Sequence, residues 1–306
     1  MSVQPITAAR SLPWPHLLLA VAVVAVWGTN FAVIKVALGD LPPLTFAALR
    51  FTFALLPAVF FLKRPKVPWR NMAAYGVLIG AGQFGLLYIA MRHDITPGLA
   101  SLVIQTQVFF TIGLSMWLAR ERLRRFQLVA LALAIAGLTV IVVHTDATTT
   151  PVGLALVLTA ALSWAMGNMV SKAAGGVNML AYVVWASLFS APPLIALALV
   201  FEGWPAMREG IVHAAPATWA AVLYQSVGNS LFGYAAWGWL LSRHPAATIT
   251  PMALLVPVFG MATSALLLGE PLQGWKLGAA ALVMTGLALN ILWPIVRGRS
   301  LARAPT

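Results

Sequence analysis

The sequence predicts an all-α integral membrane protein of ten transmembrane helices, arranged as two inverted five-helix repeats. Three observations point to it. Apolar runs as long as a bilayer is thick follow one another along the chain, charge is confined to the short segments between them, and two landmarks recur in each half.

Composition removes most other classes. Of 306 residues, 61% are apolar and 8% charged, against about 25% charged in soluble domains. A soluble fold of this composition would lack polar surface; a hydrocarbon core of about 30 Å requires an apolar exterior. The formal charge of +12 could suggest nucleic acid. The basic residues form no single patch, however, and sit in short loops between apolar runs. With no cysteine, disulfides and thiolate metal sites are excluded.

Windows of about 20 apolar residues place spans one to ten near 16–38, 43–62, 70–92, 97–119, 125–144, 151–173, 178–201, 216–241, 246–268 and 273–296. All are expected to be helices, because backbone polar groups in lipid must pair within the segment. The first run exceeds the roughly 7–15 apolar residues of a secretory signal, so it reads as an uncleaved span. Connections such as Gly39-Asp40-Leu41-Pro42-Pro43 and Lys63-Arg64-Pro65-Lys66 are turn-rich and short.

Charge orients the bundle. With the N-terminus in the cytoplasm, Arg10, Lys63, Arg64, Lys66, Arg70, Arg120, Arg122, Arg124, Arg125, Lys172, Arg243, Arg297, Arg299 and Arg303 fall on that side. The opposite side holds Asp40, Asp94, Asp146, Glu202, Glu209 and Glu270. The excess of Lys and Arg makes both termini of this multi-pass membrane protein cytoplasmic.

The halves repeat. Trp27 precedes Lys35 in span one at the spacing with which Trp164 precedes Lys172 in span six. Glu121, Phe126 and Gly137 recur at the same offsets as Glu270, Trp275 and Gly286. The repeats are 1–147 and 148–306, with five spans each. An odd number makes the second half enter the membrane from the opposite face, an architecture that places substrate between the halves near the midplane.

At these residues the chain resembles the drug/metabolite transporter superfamily, in its ten-span branch with two EamA repeats. The WGTNFAVIK stretch, Leu49-Arg50-Phe51, and the LLLGEPLQGWKLGAAALVMTG stretch ending at Gly286 carry the resemblance. Within the branch it is most similar to YddG-type exporters of aromatic amino acids. The resemblance implies export of amino acids or related metabolites. It departs at Gln107-Val108-Phe109, where the second repeat has Pro257-Val258-Phe259; any bend in span four needs another cause.

Polar and aromatic side chains at mid-depth are costly in lipid and tend to face the bundle interior. Asn30, Gln83, Tyr88, Gln105, Trp164, Asn168, Gln225, Asn229 and Trp237 are the candidate substrate-binding residues. Amides and hydroxyls can receive both ends of a zwitterion, and aromatic faces a ring or a cation. The competing reading is interhelical packing. At helical spacing Gln225 and Asn229 share one face of span eight, and Ser226, Ser230, Gly233 and Trp237 another. Arg50 is the one basic residue well inside a span. Either it attracts a substrate carboxylate or, preferred on sequence, it snorkels outward and pairs with helix-end carbonyls or Asp40.

No Asp or Glu lies inside any span, which argues against a buried carboxylate proton switch. A nucleotide-sugar or phosphate-ester carrier would want several mid-depth basic residues. A membrane-embedded enzyme would want a cluster of acids and histidines or an activated nucleophile. Neither pattern is present. The expectation is a secondary transporter of amino acids by alternating access, acting as a monomer, with no cofactor, metal, catalytic residue or nucleic-acid partner.

Overall fold

The computed structural model describes residues 12–119 and 124–302. Arg10, Arg120, Glu121, Arg122 and Arg303 lie outside them, as do the side chains of Arg297 and Arg299, so that part of the orientation and repeat reading falls outside the described residues.

The ten predicted spans are helical. They run Trp14–Ala37, Pro43–Phe60, Trp69–His93, Pro97–Trp117, Arg125–Val143, Pro151–Ala173, Met179–Phe201, 216–243, Thr250–Leu268 and Gly274–Ala302. Among the described residues nine helices are long and apolar enough to cross a membrane. The other, span eight, runs unbroken from 216 to 243 but carries Gln225, Ser226, Asn229 and Ser230 in its middle.

One helix was not expected. Gly203–His213 fills the connection between spans seven and eight. At 11 residues it reaches about half the bilayer core. Met207 and Gly210 are buried, while Trp204 and Val212 are exposed. Gly203 takes the positive φ of 79° that turns the chain into it.

Packing follows the predicted two-fold exchange. Span one packs on spans eight and nine, and its counterpart, span six, packs on spans three and four. Spans two and seven pack on each other, as do spans five and ten. Swapping the halves leaves this pattern unchanged. The landmark glycines show why it is close. A Cβ on Gly137 would lie 2.6 Å from Val283 Cγ2 and 3.0 Å from the Ala279 carbonyl. One on Gly286 would lie 2.6 Å from the Ala130 carbonyl. Each glycine admits the backbone of the other's helix, the usual basis of helix association in lipid.

The backbone irregularities repeat as well. Span three contains a π-helical segment at Leu78–Gly85, and span eight another at Tyr224–Phe232. Spans four and nine contain 3-10 turns at Ile104–Thr106 and Thr250–Leu254. Pro251 accounts for the second. Span four has no proline there; instead the Ser101 and Thr106 hydroxyls donate to the Gly98 and Val103 carbonyls at 2.6 and 2.8 Å, competing with the helix ladder.

The acids at one end of the bundle act on helix starts. Glu202 accepts from the Leu44 and Thr45 N–H groups at 2.6 and 2.9 Å and from the Thr45 hydroxyl at 2.7 Å, at the start of span two. Glu270 accepts from Gly98 N–H at 2.9 Å, at the start of span four, and pairs with Lys276 at 3.0 Å. Asp94 accepts from the Thr150 hydroxyl ahead of span six at 2.9 Å. Asp40 accepts from Ala215 N–H at 2.9 Å and the Thr218 hydroxyl at 2.5 Å, at the start of span eight. Those two bonds hold its carboxyl below the usual range. Every even-numbered span from two to eight begins at this end, so the acids satisfy orphan N–H groups and complement positive helix ends. Lys35 donates to the Met91 and Arg92 carbonyls that end span three.

Candidate substrate site

Arg50 lies on span two and is 1% exposed. Its Nη1 donates to the Tyr88 hydroxyl at 3.0 Å and its Nη2 to the Ser230 hydroxyl at 3.3 Å. The guanidinium sits 3.5 Å from the Phe84 ring centroid, a cation–π contact. Tyr88 in turn donates to Gln225 Oε1 at 3.1 Å, and Gln225 Nε2 donates to the Asn30 carbonyl at 3.5 Å. The Ser226 hydroxyl donates to the Arg50 carbonyl at 3.0 Å. One network therefore ties spans one, two, three and eight.

This overturns the preferred reading of Arg50. It does not snorkel, and Asp40 is engaged at the start of span eight instead. Among the described residues the ion pairs are Glu209–His213 and Glu270–Lys276. Arg50 is thus a fixed charge buried among neutral groups. Its Nε and the Asn30 Oδ1 have no hydrogen-bond partner among the described residues. Beside the guanidinium is a cavity of about 10 Å³ lined by Tyr75, Ser187, Ser190, Ser230 and Tyr234, room for about one water. A larger cleft of about 680 Å³ lies aside from this network, between spans two, three and seven; its walls, including Leu44, Ile89, Leu197 and Phe201, are mostly apolar.

The other candidates fall into separate groups. The Trp237 ring lies 5.1 Å from that of Trp27 and tilted 51° to it, and the Trp27 Nε1 donates to the Asn229 carbonyl at 3.1 Å. Tyr234 lies 6.0 Å from the same ring. Asn168 donates to Gln107 Oε1 at 2.9 Å and Thr111 Oγ1 at 3.3 Å, linking spans six and four. Gln83 is buried in the π segment of span three and Gln105 in the 3-10 turn of span four. Trp164 is half-buried on span six. These last three make no hydrogen bond to the Arg50 network among the described residues.

The π segments explain what a 3.6-residue period missed. Span eight widens into a π-helix over Tyr224–Phe232, and within it the Ser230 hydroxyl donates to the Gln225 carbonyl at 3.0 Å. Gln225, Ser226, Asn229 and Ser230 are all buried, so the two faces assigned to them become one broad polar surface. Tyr75, Phe84 and Tyr234, which line the cavity beside Arg50, are not among the sequence candidates. π segments also leave carbonyls without a helical partner. Side chains of the opposite repeat take them, Trp27 at Asn229 and Ser163 at Leu78, the latter at 2.9 Å. Trp27 carried a signal, since it opens the first landmark.

Comparison with known proteins agrees with this architecture. The EamA-like transporter family matches residues 14–143 and again 151–292. A probable amino-acid metabolite efflux pump of Salmonella typhimurium is 40% identical over 279 residues, covering 89% of this chain and 93% of its own. The protein of the same name in Escherichia coli K12 gives the same identity and coverage. A probable terminal-alkyne amino-acid exporter of Streptantibioticus cattleyicolor is 27% identical over 283 residues, 88% of this chain and 91% of its own. One crystal structure superposes with a TM-score of 0.60 at 19% identity, over 91% of this chain and 97% of that one, and shares the fold. With the family matched in both halves, two inverted bundles packed in two-fold exchange, and a buried polar network between them, the chain belongs to the EamA-like transporter family: it is a multi-pass membrane transporter of small molecules, not an enzyme.

Proposed function

We propose that the protein exports amino acids, aromatic and other neutral ones over a broad range, across the bacterial inner membrane by alternating access. One observation carries the reading: a guanidinium, two amides and several hydroxyls are buried together where spans of both repeats meet. That set can receive a carboxylate and hydrogen-bond an ammonium, and the rings of Trp27, Tyr234 and Trp237 offer a wall for an aromatic side chain. The printed function of the two relatives at 40% identity supports it. Arg50 receives the carboxylate; Asn30, Gln83, Tyr88, Gln105, Trp164, Asn168, Gln225, Asn229 and Trp237 line the path. The chain divides into repeats 1–147 and 148–306, works as a monomer, keeps both termini in the cytoplasm, and needs no nucleic acid or cofactor.

Counterflow in proteoliposomes with a panel of labelled amino acids tests this. Exchange of phenylalanine and of small neutral amino acids is expected. If none exchanges while a sugar nucleotide does, the substrate class is wrong. Because the chain has no cysteine, single cysteines placed at each terminus report orientation by one-sided labelling.

A further inference from the structure

We infer that Arg50 is the sole charged reader of the substrate, so that transport requires a carboxylate but not an α-ammonium. The substrate class then widens from amino acids to N-acylated amino acids and 2-hydroxy acids. This rests on the carrier reading above.

The positive charge is real and uncompensated. Arg50 is 1% exposed, its Nε has no hydrogen-bond partner among the described residues, and a cavity adjoins it. Burying a charge without a counter-charge is costly, so an anion arriving there is strongly favoured. The partners it now has are neutral and replaceable. One hydroxyl comes from span three and one from span eight, the two repeat-related helices with π segments. Moving span three away from span eight releases guanidinium donors, and a carboxylate takes both in the bidentate geometry a guanidinium suits.

Nothing comparable awaits an ammonium. Asp40, Asp94, Glu202 and Glu270 bind at helix starts at one end of the bundle. Asp146 accepts from Thr148 and Thr149 within its own turn, and Glu209 pairs with His213. Glu121 lies outside the described residues, in the connection between spans four and five. Among the described residues, the acceptor left free beside the network is the Asn30 amide oxygen. A neutral oxygen accepts from an ammonium, an amide N–H or a hydroxyl alike, so it does not demand a charged amine.

The test uses the full chain in proteoliposomes exchanging labelled L-phenylalanine, with three unlabelled competitors: L-phenylalanine, N-acetyl-L-phenylalanine and L-phenylalaninamide. The N-acetyl compound should compete within about threefold of phenylalanine, and the amide at least about tenfold worse, the worth of a charge-assisted bond. Equal competition by the amide, or loss of competition on acetylation, overturns the inference while leaving amino acid exchange standing. Absence of phenylalanine exchange instead counts against the carrier reading. Arg50→Lys should keep this order of competitors and Arg50→Gln should abolish it; the wild-type comparison decides even where a variant fails to fold.

Discussion

Spans five and ten meet backbone to backbone along uninterrupted helices, whereas spans three and eight, though span three also packs closely at Gly76 against the Ala186 carbonyl, carry interrupted ladders bonded by side chains. In the first pair, Gly137 and Gly286 let each helix rest on the other's carbonyls, and no π segment interrupts either helix. In the second, the ladder is loosened over Leu78–Gly85 and Tyr224–Phe232. The carbonyls at Leu78 and Asn229 are bonded by Ser163 and Trp27 of the opposite repeat. Both pairs are related by the same two-fold exchange. Symmetry therefore does not dictate rigidity. Without a hydrophobic drive between helices in lipid, close backbone contact makes a fixed joint, while exchangeable hydrogen bonds around a buried charge make an adjustable one.

The division predicts which changes cost stability and which cost transport. The largest loss of stability is expected from Glu270→Gln, which leaves Lys276 buried without its partner; removing one member of such a pair costs about 3–5 kcal/mol, read as a lowered unfolding temperature in detergent. Gly286→Leu forces a side chain against the Ala130 carbonyl. About 1–3 kcal/mol is expected for overpacking, with any surviving protein still ordering its substrates normally. A Gly286→Leu protein as stable as wild type would remove the fixed joint from the account.

The adjustable side should behave in reverse. Gln225→Leu breaks the link from Tyr88 to span one. Interhelical bonds in membranes average only about 0.6 kcal/mol, so unfolding should shift little while exchange flux falls several-fold. Trp27→Phe keeps the ring beside Trp237 and removes only the donor to Asn229; a smaller drop in flux at nearly unchanged stability is expected. The least effect concerns pH. Asp40 has a depressed carboxyl in the folded state. Its contribution is present above the unfolded value of about 4 and is lost as pH falls through the lower folded value. Asp40→Asn should flatten that acid limb of the unfolding temperature and leave flux at neutral pH unchanged.

Much of the scaffold was legible in the residues. Span length and loop charge follow from one-dimensional constraints, because lipid demands that each segment satisfy its own backbone. The Gly137 and Gly286 landmarks, matched by offset alone, each pack against the other's helix, Gly137 at Ala279 and Val283 and Gly286 at Ala130. The site was legible only in its membership. The residues single out Gln225, Asn30 and Tyr88, but for Arg50 they favour snorkelling to helix-end carbonyls or Asp40 over carboxylate binding, and a 3.6-residue period sets Ser226 and Ser230 on a different face from Gln225 and Asn229.

The amino-acid order alone determined how often the chain crosses the membrane, that its halves repeat in opposite sense, and that no acid is buried within a span, since each depends on which residues stand at which interval. Tertiary structure alone decided that Arg50 is enclosed, which helix starts Asp40 and Glu202 hydrogen-bond, and that span eight presents one polar surface rather than two. A π turn changes the register of every side chain beyond it, and whether a ladder loosens depends on partners waiting in another helix, which no interval along the chain records.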